Sequence, residues 1–141
     1  MKRELIAPCG LDCFYCEVHE ANITEQMRAF LAQQLGMPAE KVACQGCRAA
    51  QGRRLGYTSC ATLDCVTQRG LEFCFECGDF PCAKLQPAAD GAARYPHNMK
   101  VYNLCRMKAV GVERWAEEEA LGIRQRYFRG KFAVGLGPIL E

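Results

Sequence analysis

Three thiols fall within eight residues at Cys9-Gly10-Leu11-Asp12-Cys13-Phe14-Tyr15-Cys16. A reduced soluble chain has few uses for such a cluster other than sharing a metal ion. The cluster has no second half nearby, so the fold must carry partners back to it. Those partners are Cys44-Gln45-Gly46-Cys47, Cys60, Cys65, Cys74-Phe75-Glu76-Cys77 and Cys82. The chain is expected to be mostly α with irregular loops stapled by metal, because residues up to Cys82 offer few long apolar runs and structural metals stand in for buried area in weak cores.

Disulfides are the competing use of eleven cysteines. Met1-Lys2-Arg3-Glu4-Leu5-Ile6 runs directly into Ala7-Pro8-Cys9, without the roughly 7–15 apolar residues of a secretory signal. A cytoplasmic location, where thiols stay reduced, is the expectation. The odd count and the two-residue spacing of Cys13/Cys16, Cys44/Cys47 and Cys74/Cys77 suit metal better than cross-links. A tight turn lets such a pair wrap one face of a tetrahedron. Zinc is the expected metal and an iron–sulfur cluster the alternative, since both accept four thiolates. The proposed ligands are Cys9, Cys13, Cys16, Cys44, Cys47, Cys60, Cys65, Cys74, Cys77 and Cys82, enough for two four-cysteine sites with two thiols over. One grouping joins Cys13, Cys16, Cys44 and Cys47 and leaves the second site to the other five with one spare. Cys9 either replaces a ligand of the first site or stands free. Between Pro8 and Gly10, a free Cys9 is expected to face the site opening as a reactive thiolate, alkylated before any cysteine of the 44/47 or 74/77 pairs.

Residues 1–86 are read as the cysteine-rich lobe and 87–141 as a helical extension packed on it within one domain. In the lobe, Asn22 with Glu25 resembles a capping box, and Ile23, Met27, Phe30, Leu31 and Leu35 form one apolar stripe expected to face the core. Residues 51–57 read as a loop, 62–69 as a short helix, and Pro81 as the first turn of another carrying Cys82. After a connection from Pro87 to Pro96, a helix from Asn98 to Gly111 carries Val101, Leu104, Cys105 and Lys108 on one face, with Cys105 taken as a buried hydrophobe. A second, from about Val112 to Arg129, is expected to bury Trp115, Ala116, Ala120, Ile123 and Tyr127, completing a helical hairpin. Phe132 to Glu141 reads as a loose strap.

Other chemistries find little support. Glu117, Glu118 and Glu119 are consecutive on a helix and splay apart, so they form no catalytic pair. Nucleophilic triads, phosphate loops and dinucleotide fingerprints are missing from the sequence, and an enzyme is not the leading expectation. His19 is expected to be partly exposed, and His97 to sit near an N-cap. Residues 83–141 carry 10 Lys/Arg against 6 Asp/Glu. Arg124, Arg126, Arg129 and Lys131 near Tyr127, Phe128 and Phe132 are the one stretch suited to nucleic acid, but cations at a helix C-terminus account for most of it. Nucleic acid and membrane are therefore not expected partners, and the partner is a protein or small ligand of unknown identity. Oligomeric state and reaction are not legible.

The order Cys-Gly-Leu-Asp-Cys-x2-Cys, Cys-x-Gly-Cys, a cysteine pair flanking a short helix, and Cys-x2-Cys-x-Asp-Phe-Pro-Cys resembles the cysteine-rich family called domain of unknown function 3795, from Ala7 through Lys84. The segment from Asn103 to Trp115 is similar to an extension of some members. The resemblance implies a prokaryotic cytosolic protein that binds zinc or another metal, without an assigned reaction. Some members end in a further cysteine pair, which the stretch from Phe128 to Gly135 lacks. Cys-x3-Cys-x2-Cys also resembles the cluster motif of radical S-adenosylmethionine enzymes, but the alternating strands and helices of their barrel are missing here.

Overall fold

The computed structural model describes residues 3–53, 55 and 57–140. Arg54 and Gly56, part of the expected 51–57 loop, lie outside them. The regular structure is mainly helical. α1 spans Glu25–Leu35, α2 Ala61–Gln68 and α3 Lys100–Val110. A last helix over 112–129 follows, α-helical at Val112–Arg114, π-helical at Trp115–Glu119 and α-helical again at Ala120–Arg129. It ends in an antiparallel hairpin of β1, Phe132–Ala133, and β2, Gly137–Pro138. The expected loose strap is therefore paired backbone, turned by glycines within 130–137. No described helix is long and apolar enough to cross a membrane.

The segment from Ile6 to Phe14 is buried throughout and runs through the middle of the core. It closes on itself, with the Ala7 amide donating to Leu11 O and the Gly10 amide to Ala7 O. Phe73, Val66 and Leu85 cover one side of it; Leu104, Met107, Trp115, Ala116, Ala120 and Ile123 complete the same cluster. Gly10 marks the contact with α3. Its φ is +91°, and a Cβ there would stand 2.8 Å from Lys100 O and 2.9 Å from Leu104 Cγ, so only glycine fits without displacement. Asn103 Nδ2, itself buried, donates to Gly10 O at 2.8 Å. On the opposite side Arg48 donates from Nε to Ile6 O and from Nη2 to Glu72 O, both at 2.9 Å, with its guanidinium over the Phe73 ring.

Several local expectations change. The N-cap of α1 is Thr24, whose hydroxyl accepts from Met27 N. Asn22 instead donates to Phe14 O and Cys16 O, both at 2.9 Å, and braces the first cysteine turn. α1 buries none of its residues, and Phe30 is 56% exposed. The stripe of Ile23, Met27, Phe30, Leu31 and Leu35, expected to face the core, is therefore at most half-buried. Pro81 follows a cis peptide bond and precedes a 3₁₀ turn, Ala83–Leu85, whose N-cap is Cys82. Cys105 is exposed on α3, while Asn103, Leu104 and Met107 are buried. Of the expected face, Leu104 is buried and Val101 packs partly buried against the core, while Cys105 and Lys108 face outward.

Trp115 is fully buried, edge-on to Phe14, with its indole N–H lacking a partner. Its fluorescence is expected to be blue-shifted. Trp115→Ala should cost about 3–5 kcal/mol in denaturant unfolding, and Trp115→Phe less, since it also removes the unpaired donor.

Candidate metal centre

The two Cys-Phe-x-Cys segments adopt the same turn. Cys13–Tyr15 and Cys74–Glu76 are each one 3₁₀ turn. In both, the second cysteine's amide donates to the first cysteine's carbonyl, and the third residue after the second cysteine donates back to that cysteine. A tight turn of this kind is the backbone form that a metal knuckle uses, and Cys74 and Cys77 line the same cavity. The Glu76 carboxylate steadies the second turn by accepting from Glu72 N and Phe73 N.

Around the second knuckle, Cys65 from α2, Cys74, Cys77 and Cys82 line one cavity with Arg69, Asp79 and Lys84 among its other walls. Its volume of about 30 Å³ is room for a group no larger than one or two waters, far below the roughly 300–1,000 Å³ of ligand pockets, and Val66, Leu71, Phe80 and Leu85 are also in its wall. Arg69 Nη1 donates to Cys77 Sγ at 2.9 Å, and Asp79 N donates to the same sulfur at 3.4 Å. Asp79 holds Arg69 in place at 2.7 Å. Burial, followed by the thiols of Cys9, Cys82, Cys65 and Cys77, pushes the Cys74 thiol up to about 12. A bound cation would reverse that balance and release protons.

The first knuckle meets the Cys44–Cys47 turn. Cys44 N donates to Val18 O and Glu20 N to Cys44 O, both at 2.9 Å, a parallel bridge between His19 and Cys44. Cys13 and Cys47 are hydrogen-bonded thiol to thiol. That bond, then burial, raises the Cys13 pKa strongly. Burial also raises Cys16, with Arg124 opposing and Cys44 adding to the rise. Cys60 is not among the residues lining the second cavity; with Cys47 it is an electrostatic neighbour of Cys9. Cys9 thus links the two groups, and Pro8 O accepts from Cys74 N at 2.9 Å. Cys9 is buried and its thiol is pushed up to about 11 by that burial, which corrects the expectation of an exposed, reactive thiolate. Proline and glycine on either side fold it into the core.

Four cysteines lining one small cavity, with two N–H donors on one of their sulfurs, have the donor chemistry that suits a thiophilic metal. Among the described residues, however, no three Cys, His, Asp or Glu side chains stand in metal-ligating geometry. The thiols share neighbourhoods without forming a preassembled cage. His19 is buried, against expectation, because its backbone pairs with Cys44; Nδ1 accepts from Ala21 N at 3.2 Å and Nε2 is unpartnered. His97 lies exposed in the Pro96–Met99 turn, edge-on to Tyr95.

A buried ion cluster, unforeseen in the sequence, sits on the first knuckle. Arg124 Nη1 donates to Asp12 Oδ1 at 2.9 Å and Nη2 to Glu17 Oε2 at 2.6 Å. Both Arg124 and Asp12 are buried. Burial pushes the Asp12 carboxyl up from its ordinary value, against the pull of Arg124. The two acids bracket Cys13–Cys16, so one guanidinium fastens both ends of the knuckle to the last helix. Glu119, read as solvated, makes a bidentate pair with Arg106 at 2.6 and 2.8 Å, and Glu118 pairs with Arg114.

Arg124→Met leaves Asp12 buried without its cation and is expected to cost about 3–5 kcal/mol in urea unfolding, with most of that recovered in the Asp12→Asn/Arg124→Met double variant. Alkylation of the folded protein, mapped by mass, should label the exposed Cys105 first and Cys9 only on unfolding. Early labelling of Cys9 would contradict its burial.

No curated protein and no solved structure matches the chain. A family model described as protein of unknown function (DUF3795) matches residues 5–87, more than half of the chain. The matched span holds every cysteine except Cys105 and ends before α3. The chain belongs to this cysteine-rich family of proteins of unknown function.

Proposed function

We propose that this is a cytoplasmic zinc-binding protein whose cysteines hold the lobe of residues 1–86 together, and which works as an interaction module for a protein or small-ligand partner without a reaction of its own. The observation that carries the reading is that Cys65, Cys74, Cys77 and Cys82 line one small cavity, with Arg69 and Asp79 donating to Cys77 Sγ. Cys13, Cys16, Cys44 and Cys47 form the second ligand set, and Cys9 with Cys60 lies between the two. Zinc supplies four tetrahedral bonds and no redox chemistry. The residues supply the rest: the 3₁₀ turns set the backbone of the two knuckles, and Arg69 and Arg124 offset anionic charge beside them.

A second reading is an iron–sulfur or thiol redox protein. It is favoured by the proximity of the two surplus thiols, Cys9 and Cys60. Binding of nucleic acid through the basic tail loses support, because Arg124 is withdrawn into the core and the Tyr127 hydroxyl is engaged with Ala92 O and Tyr95 O.

Anaerobic purification with metal analysis and a visible spectrum tests the reading. The expected result is colourless protein with two zinc ions per chain. Cys77→Ser should lose one zinc and unfold the lobe, since structural zinc contributes on the order of 10–16 kcal/mol of apparent folding energy; Cys105→Ser should lose none. Brown, iron-loaded protein would replace this reading with the second, and folded protein that takes up no metal would remove both metal readings.

A further inference from the structure

Beyond the cysteines, the end of the chain presents a surface with an unusual combination of groups. β1 and β2 place Val134, Gly135 and Leu136 at the tip of a hairpin. Val134 is 95% exposed, Leu136 87%, Leu140 75% and Phe132 71%. Beside the hairpin lies an open cavity of about 630 Å³, walled by Arg126, Arg129 and Lys131 together with Ile139 and Leu140. None of these three cations is in an ion pair among the described residues. From Ala120 through Leu140 the sequence contains no Asp or Glu; Glu119, immediately before this stretch, acts electrostatically on Arg126, and Glu141 follows it. A helix C-terminus explains the presence of arginines. It does not explain an aliphatic tip held out in water beside them.

We propose that this hairpin and its cationic cavity form a docking surface for an anionic lipid bilayer. The cavity receives headgroup phosphates, while Val134 and Leu136 enter the acyl boundary. Apolar insertion beside unpaired cations is the chemistry of peripheral membrane binding, which needs no spanning helix. Two other occupants fit the surface less well. Single-stranded nucleic acid takes its affinity from aromatic stacking as well as charge, yet Tyr127 is engaged through its hydroxyl, Phe128 packs against Tyr127 and Arg124, and the exposed groups are mostly aliphatic. A second copy docked symmetrically through the same face would set three cations against three.

Co-sedimentation of the full chain with phosphatidylcholine vesicles, with and without phosphatidylserine, tests the proposal. Binding is expected only with phosphatidylserine, weakening as salt rises. Arg129→Glu/Lys131→Glu should weaken it on the order of fivefold or more for each cation removed, and Val134→Asp/Leu136→Asp should weaken it at least tenfold. Both variants should keep the metal content and Trp115 emission of the parent chain, which separates failure here from failure of the zinc reading. No binding to phosphatidylserine vesicles, or undiminished binding by Val134→Asp/Leu136→Asp, would overturn the proposal. So would a single-stranded oligonucleotide bound as well by that variant as by the parent, or a dimer that the variant abolishes in the absence of lipid.

Discussion

Arg124 holds Asp12 and Glu17 with one guanidinium, and through them holds the first cysteine turn against the last helix. A charge buried to this degree persists only while its partners stay in place, since an unpaired ion in a protein interior costs several kcal/mol. The cluster therefore ties two parts of the chain more than a hundred residues apart. Apolar burial of Ile6, Leu11 and Phe14 against Leu104 and Trp115 supplies the bulk of the attraction. The ion cluster and the Asn103 bond to Gly10 supply the register, because directional contacts distinguish one seating of the loop from its near neighbours.

The cysteines are distributed around this seated loop in a connected chain of neighbours. Cys16 is an electrostatic neighbour of Cys44, the Cys13 and Cys47 thiols are hydrogen-bonded, and Cys9 is an electrostatic neighbour of Cys47, Cys60 and Cys74, the last of which lines the cavity with Cys65, Cys77 and Cys82. Such continuity follows from the position of Cys9 in the core segment. Its backbone neighbour Pro8 is hydrogen-bonded to the second knuckle, and four residues on Cys13 begins the first.

What could be read in advance was local. Glycine at position 36, the helical run from Val112 to Arg129 and the two-residue cysteine spacings are each decided by a few neighbouring residues, and the turn geometry around Cys13 and Cys74 follows from them. Long-range pairings left no such trace. Arg124 has the same composition signal as Arg126 and Arg129, yet only Arg124 is buried. His19 is drawn inside by a bridge to Cys44 that no spacing announces. The α1 stripe has the right period for a core helix, yet none of its residues is in the buried cluster. The repeated Cys-Phe-x-Cys was the available sign that both knuckles share one backbone form. Which thiols gather at one cavity depends on the path of the chain between them.

The π-helical turn at Trp115–Glu119 gives the last helix a particular phase. A turn of this kind takes in one residue more than an α-turn, so every side chain beyond it is rotated by about 100° relative to an uninterrupted helix. Arg124 lies five residues past its end. In a regular helix of the same sequence, Arg124 would point elsewhere on the cylinder and Asp12 would face a different side chain. The length of that one turn, and not only the identity of the residues, therefore sets which charge arrives at the first knuckle. An insertion or deletion there would re-aim the helix while leaving its composition and amphipathic appearance almost unchanged.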